Sequence, residues 1–266
     1  MRAFIRRVQF DLASSDIHNT YCIVIPHYNH SKQFAKFLPK LAPLGLSMVV
    51  VDDGSIAEDV VRLRELLSTV DRACLLERKE NGGKGSAVLD GARWASAQGF
   101  THILQIDADG QHSVAGVASI LQASEDNPAD LISGLPVFSD SVPLSRLHGR
   151  KISLWCARIE TLSGEIQDVM CGFRVYPLTS LLHICDKNRF GQGMEFDIEV
   201  MVRLYWSGVS VRFVSIEVGY PETGRSHYRL VQDNVRVSLM HARLLAGMLW
   251  RLPQLLARSS IRKVPG

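Results

Sequence analysis

Short apolar segments alternate along the chain with longer segments in which apolar residues recur every three or four positions. The short segments predict buried strands, and the longer ones predict helices with one buried face. Such an alternation is typical of a largely parallel sheet flanked by helices. In the first half, the predicted strands are 21–26, 47–51, 73–76 and 101–106, and the predicted helices are 31–41, 57–67 and 86–98.

The second half continues the pattern with less regular spacing. It predicts helices at 114–123, 144–162 and 195–207, strands at 130–134 and 210–218, and a final helix from about Leu230; residues 168–176 form one further conspicuous segment. We therefore expect one α/β domain at 21–229, preceded by an extension at 1–20 and followed by a helical tail at 230–266.

The length and amino-acid composition are typical of a protein with one large hydrophobic core. The 266 residues are 46% hydrophobic and carry a formal net charge of +3, too little to argue for nucleic-acid binding. Five widely spaced cysteines in mostly apolar runs predict reduced, buried thiols. Arginines near the N-terminus are not followed by the apolar run of a signal peptide, and no segment is long and apolar enough to span a bilayer. We expect a cytoplasmic protein.

The C-terminal tail departs from this average. No acidic residue follows Asp233, whereas basic residues and leucines alternate up to the C-terminus, with Trp250 and Pro253 among them. A basic amphipathic helix of this kind can lie at the surface of an anionic bilayer. It can equally pack on its own domain or on a partner, and the sequence leaves both interpretations open.

Two acidic turns follow predicted strands. Asp107-Ala108-Asp109 directly follows the strand that ends at residue 106, and two carboxylates so placed suit Mg²⁺ or Mn²⁺ held together with phosphates. Asp52 and Asp53 leave the second strand, where carboxylates can bind a ribose or a base. The alternatives are a solvated acidic turn for the first pair and a helix cap by Asp53 for the second.

A glycine-rich turn occupies residues 81–85, Asn-Gly-Gly-Lys-Gly. With a helix behind it, this turn can bring backbone N–H groups and the Lys84 ammonium close to a phosphate. It is not a Walker loop, because no Ser or Thr follows the lysine. A structural tight turn is the alternative.

Taken in order, these segments and residues 24–29, Val-Ile-Pro-His-Tyr-Asn, resemble the family 2 glycosyltransferases of the GT-A fold. The sequence Asn-Gly-Gly-Lys-Gly followed by Asp-Ala-Asp-Gly-Gln-His is especially similar to the dolichyl- and polyprenyl-phosphate sugar synthases. The resemblance implies a GT-A domain, a nucleotide-sugar donor with UDP favoured, and a divalent metal. It places Pro26, Tyr28, Asn29, Asp53, Lys84 and Asp107 on the donor side and Asp107, Asp109 and Gln111 on the metal.

Three later segments extend the resemblance. Asp168 and Arg174 belong to a stretch that implies the acceptor side, with a strand bulging at Gly172 as the alternative. Asp197, with Glu195 as second choice, occupies the place of a general base, although acidic residues also suit a helix N-terminus. Arg225 and His227 lie where the family grips the diphosphate; His227 replaces the expected lysine and can contact phosphate or the metal. A plain surface loop is the alternative.

The resemblance implies a metal-dependent, inverting transfer of a sugar to a lipid-linked or other hydroxyl or phosphate acceptor. The tail favours a lipid-linked acceptor and peripheral membrane contact. Two alternatives stay open, a nucleotide-sugar-binding module without turnover and a nucleotidyltransferase. Release of a nucleoside diphosphate instead of pyrophosphate separates the two enzyme hypotheses.

Overall fold

A computed structural model describes residues 19–110, 114–138, 144–218 and 230–262. Within these ranges, seven strands form one sheet in the order β3-β2-β1-β4-β6-β5-β7. The strands are β1 Tyr21–His27, β2 Ser47–Asp52, β3 Ala73–Glu77, β4 His102–Gln105, β5 Leu131–Phe138, β6 Arg174–Pro177 and β7 Val211–Val218.

Helices connect the strands and cover both faces of the sheet. On one face of the sheet, α1, α2 and α4 pack with Ile23 and Ile25 of β1. On the other face, the remaining helices pack with Cys22 and Val24. The period-2 alternation along β1 therefore supplies both cores. The helices are α1 Ser31–Leu41, α2 Ala57–Leu67, α3 Lys84–Ala97, α4 Ala115–Asp126, α5 Leu144–Thr161, α6 Leu178–Lys187, α7 Phe196–Trp206 and α8 Leu230–Arg262.

The sheet is largely parallel, as predicted. β1 pairs in parallel with β2 on one side and β4 on the other, and β5 pairs in parallel with β7. The chain leaves β1 towards one edge through β2 and β3 and then returns to β4. In open α/β sheets such a reversal forms a ligand-binding crevice outside the carboxyl ends of the two strands, which here are β1 and β4.

One strand and one helix differ from the sequence expectation. β6 runs antiparallel between β4 and β5, and α6 follows it directly from Pro177, where the sequence pattern predicted no helix. β6 has only four residues, all buried, so it shows no alternation that would mark it as a strand.

The last helix packs on the domain along one face. α8 buries Met240, Leu244, Met248 and Leu255, and it lies against α5 and α7. This confirms the packing interpretation of the tail for that face. In the part of the chain that the structure describes, no helix combines the length and the apolar character needed to cross a membrane. All five cysteines are free thiols, and four of them are buried.

Candidate active site

The ends of β1 and β2 form one wall of the crevice. Their register sets His27 beside Asp52, and His27 Nδ1 lies 3.0 Å from Asp52 Oδ1. The backbone N–H of Ser55 donates to the other Asp52 oxygen at 3.1 Å. Burial acts to raise the pKa of Asp52, but the hydrogen bonds from His27 and Ser55 together outweigh it, so the pKa lies below its ordinary value. Asp52 is thus a structural carboxylate beneath the site.

Asp53 anchors the glycine-rich turn. Its Oδ1 accepts from the backbone N–H of Gly82 at 2.9 Å and from Arg78 at 2.5 Å, and its Oδ2 accepts from Gly83 N–H at 2.7 Å. The residue before α2 is Ile56, without a side-chain cap. Asp53 therefore does not cap α2, and the helix-cap interpretation is wrong.

The glycine-rich turn is held from its other side by residue 192. A Cβ on Gly83, whose φ is +92°, would lie 2.4 Å from the carbonyl oxygen of Gln192, and Gly85 N–H donates to that carbonyl at 2.8 Å. Glycine is required here both for the left-handed conformation and for the close backbone approach. α3 consequently begins at Lys84, two residues earlier than predicted.

The turn directs Lys84 between two of the predicted site carboxylates. Lys84 Nζ lies 2.7 Å from Asp107 Oδ1 and 2.7 Å from Asp197 Oδ2, and only 13% of its side chain is exposed. Burial acts to lower the pKa of Lys84, but the charges of Asp107 and Asp197 outweigh it and raise the pKa above its ordinary value. The ammonium therefore stays charged and links β4 to α7.

Asp197 is held in place from two further sides. Gln105, the last residue of β4, donates from Nε2 to Asp197 Oδ1 at 3.0 Å. Arg174 is fully buried and donates to the Asp197 carbonyl and, at 2.8 Å, to that of Val169. Both carboxylate oxygens of Asp197 thus have partners. Arg174 lies beneath Asp197, and its contact with an acceptor stays a prediction.

Gly172 lies directly against the Lys84 ammonium and the Asp107 carboxylate. A Cβ on this residue would lie 2.6 Å from Asp107 Oδ2 and 2.7 Å from Lys84 Nζ. Gly172 precedes β6, so the alternative of a bulge within a strand is wrong. Asp168 shapes the preceding turn by accepting from Met170 N–H at 3.0 Å and Cys171 N–H at 2.7 Å.

The other predicted catalytic carboxylate, Glu195, has a different setting. It is buried directly before α7, and its Oε1 accepts from Gly193 N–H at 3.2 Å. A Cβ on Gly191 would lie 2.3 Å from the Glu195 side chain. Glu195 thus shapes the turn before α7, and its chemical role stays a prediction.

The predicted donor residues after β1 lie at the rim of the crevice. Pro26 pairs with Val51 in the sheet, and Tyr28 is half-buried. Asn29 adopts a φ of +54°; its backbone N–H donates to Ser55 Oγ at 2.8 Å, and its side-chain Oδ1 accepts from Ile56 N–H at 3.0 Å. Asn29 therefore ties the turn after β1 to the turn after β2.

The metal prediction rests on Asp107 and Asp109. Both are partly exposed beyond the end of β4, and their carboxylates are the hard oxygen donors that Mg²⁺ and Mn²⁺ prefer. Among the described residues, no three or more His, Cys, Asp or Glu side chains form a group that would hold a metal. Two carboxylates fit an ion that takes its other ligands from donor phosphates. Gln111, Arg225 and His227 lie outside the described residues.

Three residues of the site were not recognised from the sequence. Gln105 orients Asp197, and Arg78 binds Asp53. Gly172 leaves room for the contact between Lys84 and Asp107. A polar glutamine directly after the apolar pair Ile103-Leu104, two residues before Asp107, was an available signal for the first. Nothing local marks Arg78 or the close approach at Gly172.

Comparisons with known proteins agree with this architecture. The family model described as Glycosyl transferase family 2 matches residues 22–182. Polyprenol monophosphomannose synthase of Mycolicibacterium smegmatis is 28% identical over 224 residues, covering 82% of this chain and 83% of that protein.

Solved structures show the same fold. One is glucosyl-3-phosphoglycerate synthase of Mycobacterium tuberculosis in complex with Mn²⁺ and UDP-glucose, with a TM-score of 0.59 and 17% identity over 88% of this chain and 79% of that one. Another is the mannosyltransferase PcManGT of Pyrobaculum calidifontis in complex with GDP-Man and Mn²⁺, with a TM-score of 0.56 and 16% identity over 96% and 79%. These similarities confirm the predicted GT-A fold.

Proposed function

The chain belongs to glycosyl transferase family 2, and from this premise we propose that it transfers a hexosyl group from a nucleoside-diphosphate sugar to a lipid phosphate, inverting the anomeric carbon. Membership of this family identifies a glycosyltransferase and not a nucleotidyltransferase. The observation that carries the proposal is the cluster of Asp107, Lys84 and Asp197 in the crevice between β1 and β4. In this cluster the Lys84 ammonium lies between the carboxylate of Asp107, a predicted metal ligand, and the carboxylate of Asp197.

The donor nucleotide would bind over the ends of β1 and β2. Pro26, Tyr28 and Asn29 border that space, and Asp53 fixes the glycine-rich turn opposite them. UDP is our favoured nucleotide. GDP is the competing choice, because the solved mannosyltransferase is in complex with GDP-Man.

A divalent cation would be held by Asp107 and Asp109, with Gln111 and His227 as further predicted ligands. When bound, such an ion neutralises charge that develops on the departing diphosphate. Two neighbours of the same fold were crystallised with Mn²⁺. Lys84 and Arg225 would add fixed positive charge near the same diphosphate.

The setting of Asp197 favours a phosphate acceptor over a hydroxyl. A general base needs a free oxygen within reach of the attacking group. Here one Asp197 oxygen accepts from Gln105 and the other pairs with Lys84, and the side chain is 4% exposed. A phosphate is already anionic and needs no base, so Asp197 would hold Lys84 in position.

In the proposed reaction, a phosphate oxygen of the acceptor attacks the anomeric carbon. The new C–O bond forms as the bond to the donor diphosphate breaks, and the nucleoside diphosphate leaves with that electron pair. No covalent intermediate on the protein is required. The acceptor would be met at the cytoplasmic face of the cell membrane, where the protein would be peripheral.

The first experiment measures thermal unfolding with UDP-glucose or GDP-mannose, with and without Mn²⁺. A bound donor should raise the unfolding temperature of the wild type only with Mn²⁺. Asp109→Ala should lose that shift, whereas the control Asp71→Ala, an exposed acidic residue before β3 and thus at the opposite end of the strands from the site, should keep it. Equal shifts in Asp109→Ala and the wild type would contradict the metal assignment.

The second experiment tests the acceptor class. Purified protein is given the donor with a polyprenyl phosphate or with the corresponding polyprenol, and nucleoside diphosphate release is measured. We expect turnover with the phosphate alone and no pyrophosphate. Turnover with the alcohol, abolished by Asp197→Asn, would instead make Asp197 the general base. Donor binding without turnover on any acceptor would support a binding module.

A further inference from the structure

Helix α8 has a second apolar face, opposite the one that packs on the domain. With 33 residues it is the longest helix of the described chain, about 50 Å in length. Each residue advances about 100° around a helix axis, and six exposed apolar residues then fall within an arc of about 140°, so they share one side of the helix. We define the outer face of α8 by these six, Val235, Leu239, Leu245, Leu249, Trp250 and Leu256.

The exposure of this outer face is large for such residues. Leu249 is 65% exposed and Trp250 is 88% exposed, while Leu244 and Met248 on the packed side are buried. Isolated exposed leucines are ordinary, but a continuous apolar side along one helix marks an interaction surface. The packed face accounts for the stability of α8 on the domain, and the outer face needs another explanation.

The exposed charged side chains described on α8 are all basic. The helix carries five arginines, and its one acidic residue, Asp233, is buried. Two of the arginines pack on the domain, Arg251 over the Trp206 ring and Arg258 over the Tyr205 ring. Arg236 and Arg243 are exposed beside the outer face. The adjoining helix α5 also exposes a tryptophan, Trp155, and its one acidic residue, Glu160, is buried against His241. The surface therefore favours an anionic occupant.

We propose that the outer face of α8 docks the protein onto an anionic lipid bilayer, with the helix parallel to the membrane. Leucine and valine side chains would enter the acyl boundary, Trp250 would lie at headgroup level, and Arg236 and Arg243 would meet lipid phosphates. A second copy of the chain fits less well, because it would bring like charges together. The inference rests on the proposed function in one respect, since a lipid-phosphate acceptor lies in that bilayer.

The test is cosedimentation of the full chain with large vesicles. Vesicles of phosphatidylglycerol and phosphatidylcholine in equal parts are compared with vesicles of phosphatidylcholine alone, at low and high salt. We expect binding to the anionic vesicles that weakens with salt. The double variant Leu249→Ser/Trp250→Ser should bind about tenfold or more weakly. Val61→Ser, which removes a half-exposed apolar residue from α2, should bind as the wild type does.

Four results would overturn the proposal. The first three are absence of vesicle binding by the wild type, undiminished binding by the double variant, and a wild-type dimer in solution that the double variant converts to a monomer. A lowered unfolding temperature in the double variant would also overturn it, because the face would then be packed against protein. Donor-induced stabilisation without vesicles is measured in parallel, so failure of docking is distinguishable from failure of the transferase proposal.

Discussion

At the scale of residues, the central feature of the site is a lysine shared by two carboxylates. Lys84 contacts Asp107, a predicted metal ligand, and Asp197, the predicted base. An ammonium and a divalent cation are both attracted to the same Asp107 carboxylate. The position of Lys84 therefore bears on metal binding as well as on the diphosphate.

Replacing Lys84 by methionine keeps the length of the side chain and removes its charge. We expect Lys84→Met to bind Mn²⁺ alone about tenfold more tightly than the wild type, since the competing charge is gone. Titration of Mn²⁺ followed by electron paramagnetic resonance measures this directly. Lys79→Met removes an exposed charge before the same turn and serves as the control. Unchanged or weaker Mn²⁺ binding by Lys84→Met would show that the ammonium does not compete.

Gly172 gives a steric test of the same cluster. Its replacement by alanine would force a methyl group against Asp107 and Lys84. A displacement of about 1 Å at a reacting centre costs about a hundredfold in rate, so Gly172→Ala should lower kcat/KM by that order. Gly164→Ala, eight residues earlier, meets no atom within 4 Å and should keep full activity. Full activity in Gly172→Ala would mean that the cluster tolerates this shift.

Some of these residues could be predicted from the sequence and others could not. Asp107 follows a strand at the carboxyl edge of a parallel sheet, and that position alone indicated a ligand site. The meeting of Lys84 with Asp197 depends on the contact of the glycine-rich turn with Gln192, far away in sequence. No local pattern encodes such a contact, so Lys84 was expected at a phosphate and not between carboxylates.

At the scale of elements, periodicity predicted the parallel strands and their helices but not β6 and α6. β1 and β2 are apolar runs bounded by turn residues, and α1 has a clear apolar stripe through Phe34, Phe37, Leu38 and Leu41. β6 contains a buried arginine, Arg174, whose partners are backbone carbonyls supplied by other segments. An internal charge of this kind contradicts a simple apolar pattern, which is why a strand was only the alternative interpretation of this segment and its position was not predicted.

Helix α8 allows a comparison of neighbouring leucines. Leu244 is fully buried against the domain, whereas Leu245 is 36% exposed on the outer face. Leu244→Ala should lower the free energy of unfolding by about 2–5 kcal/mol, because it leaves a cavity between α8 and its neighbours. Leu245→Ala should change it by less than about 1 kcal/mol. Denaturant unfolding of both variants measures the difference, and equal effects would mean that α8 does not pack as described.

At the scale of the whole molecule, the structure separates chemistry from docking. The cluster around Lys84 lies in the crevice between β1 and β4, while the apolar outer face belongs to the last helix. α8 is joined to α7, which carries Asp197, through the ion pair of Arg243 with Glu199 at 3.4 Å. An enzyme that meets its acceptor in a bilayer would need both parts, but the two can be disabled one at a time.

Because the crevice and the outer face of α8 are separate, we expect the activity of the double variant to depend on whether the same kind of acceptor is embedded in a membrane or dissolved in water. With a polyprenyl phosphate embedded in anionic vesicles, Leu249→Ser/Trp250→Ser should lower kcat/KM by about tenfold or more, because the enzyme no longer concentrates at the surface. With a short, water-soluble isoprenyl phosphate the same variant should match the wild type, since the crevice is unchanged. Gly172→Ala should be slow with both acceptors. If the double variant were equally impaired with the soluble acceptor, the outer face of α8 would have to act in the reaction itself, and docking would not explain its exposure.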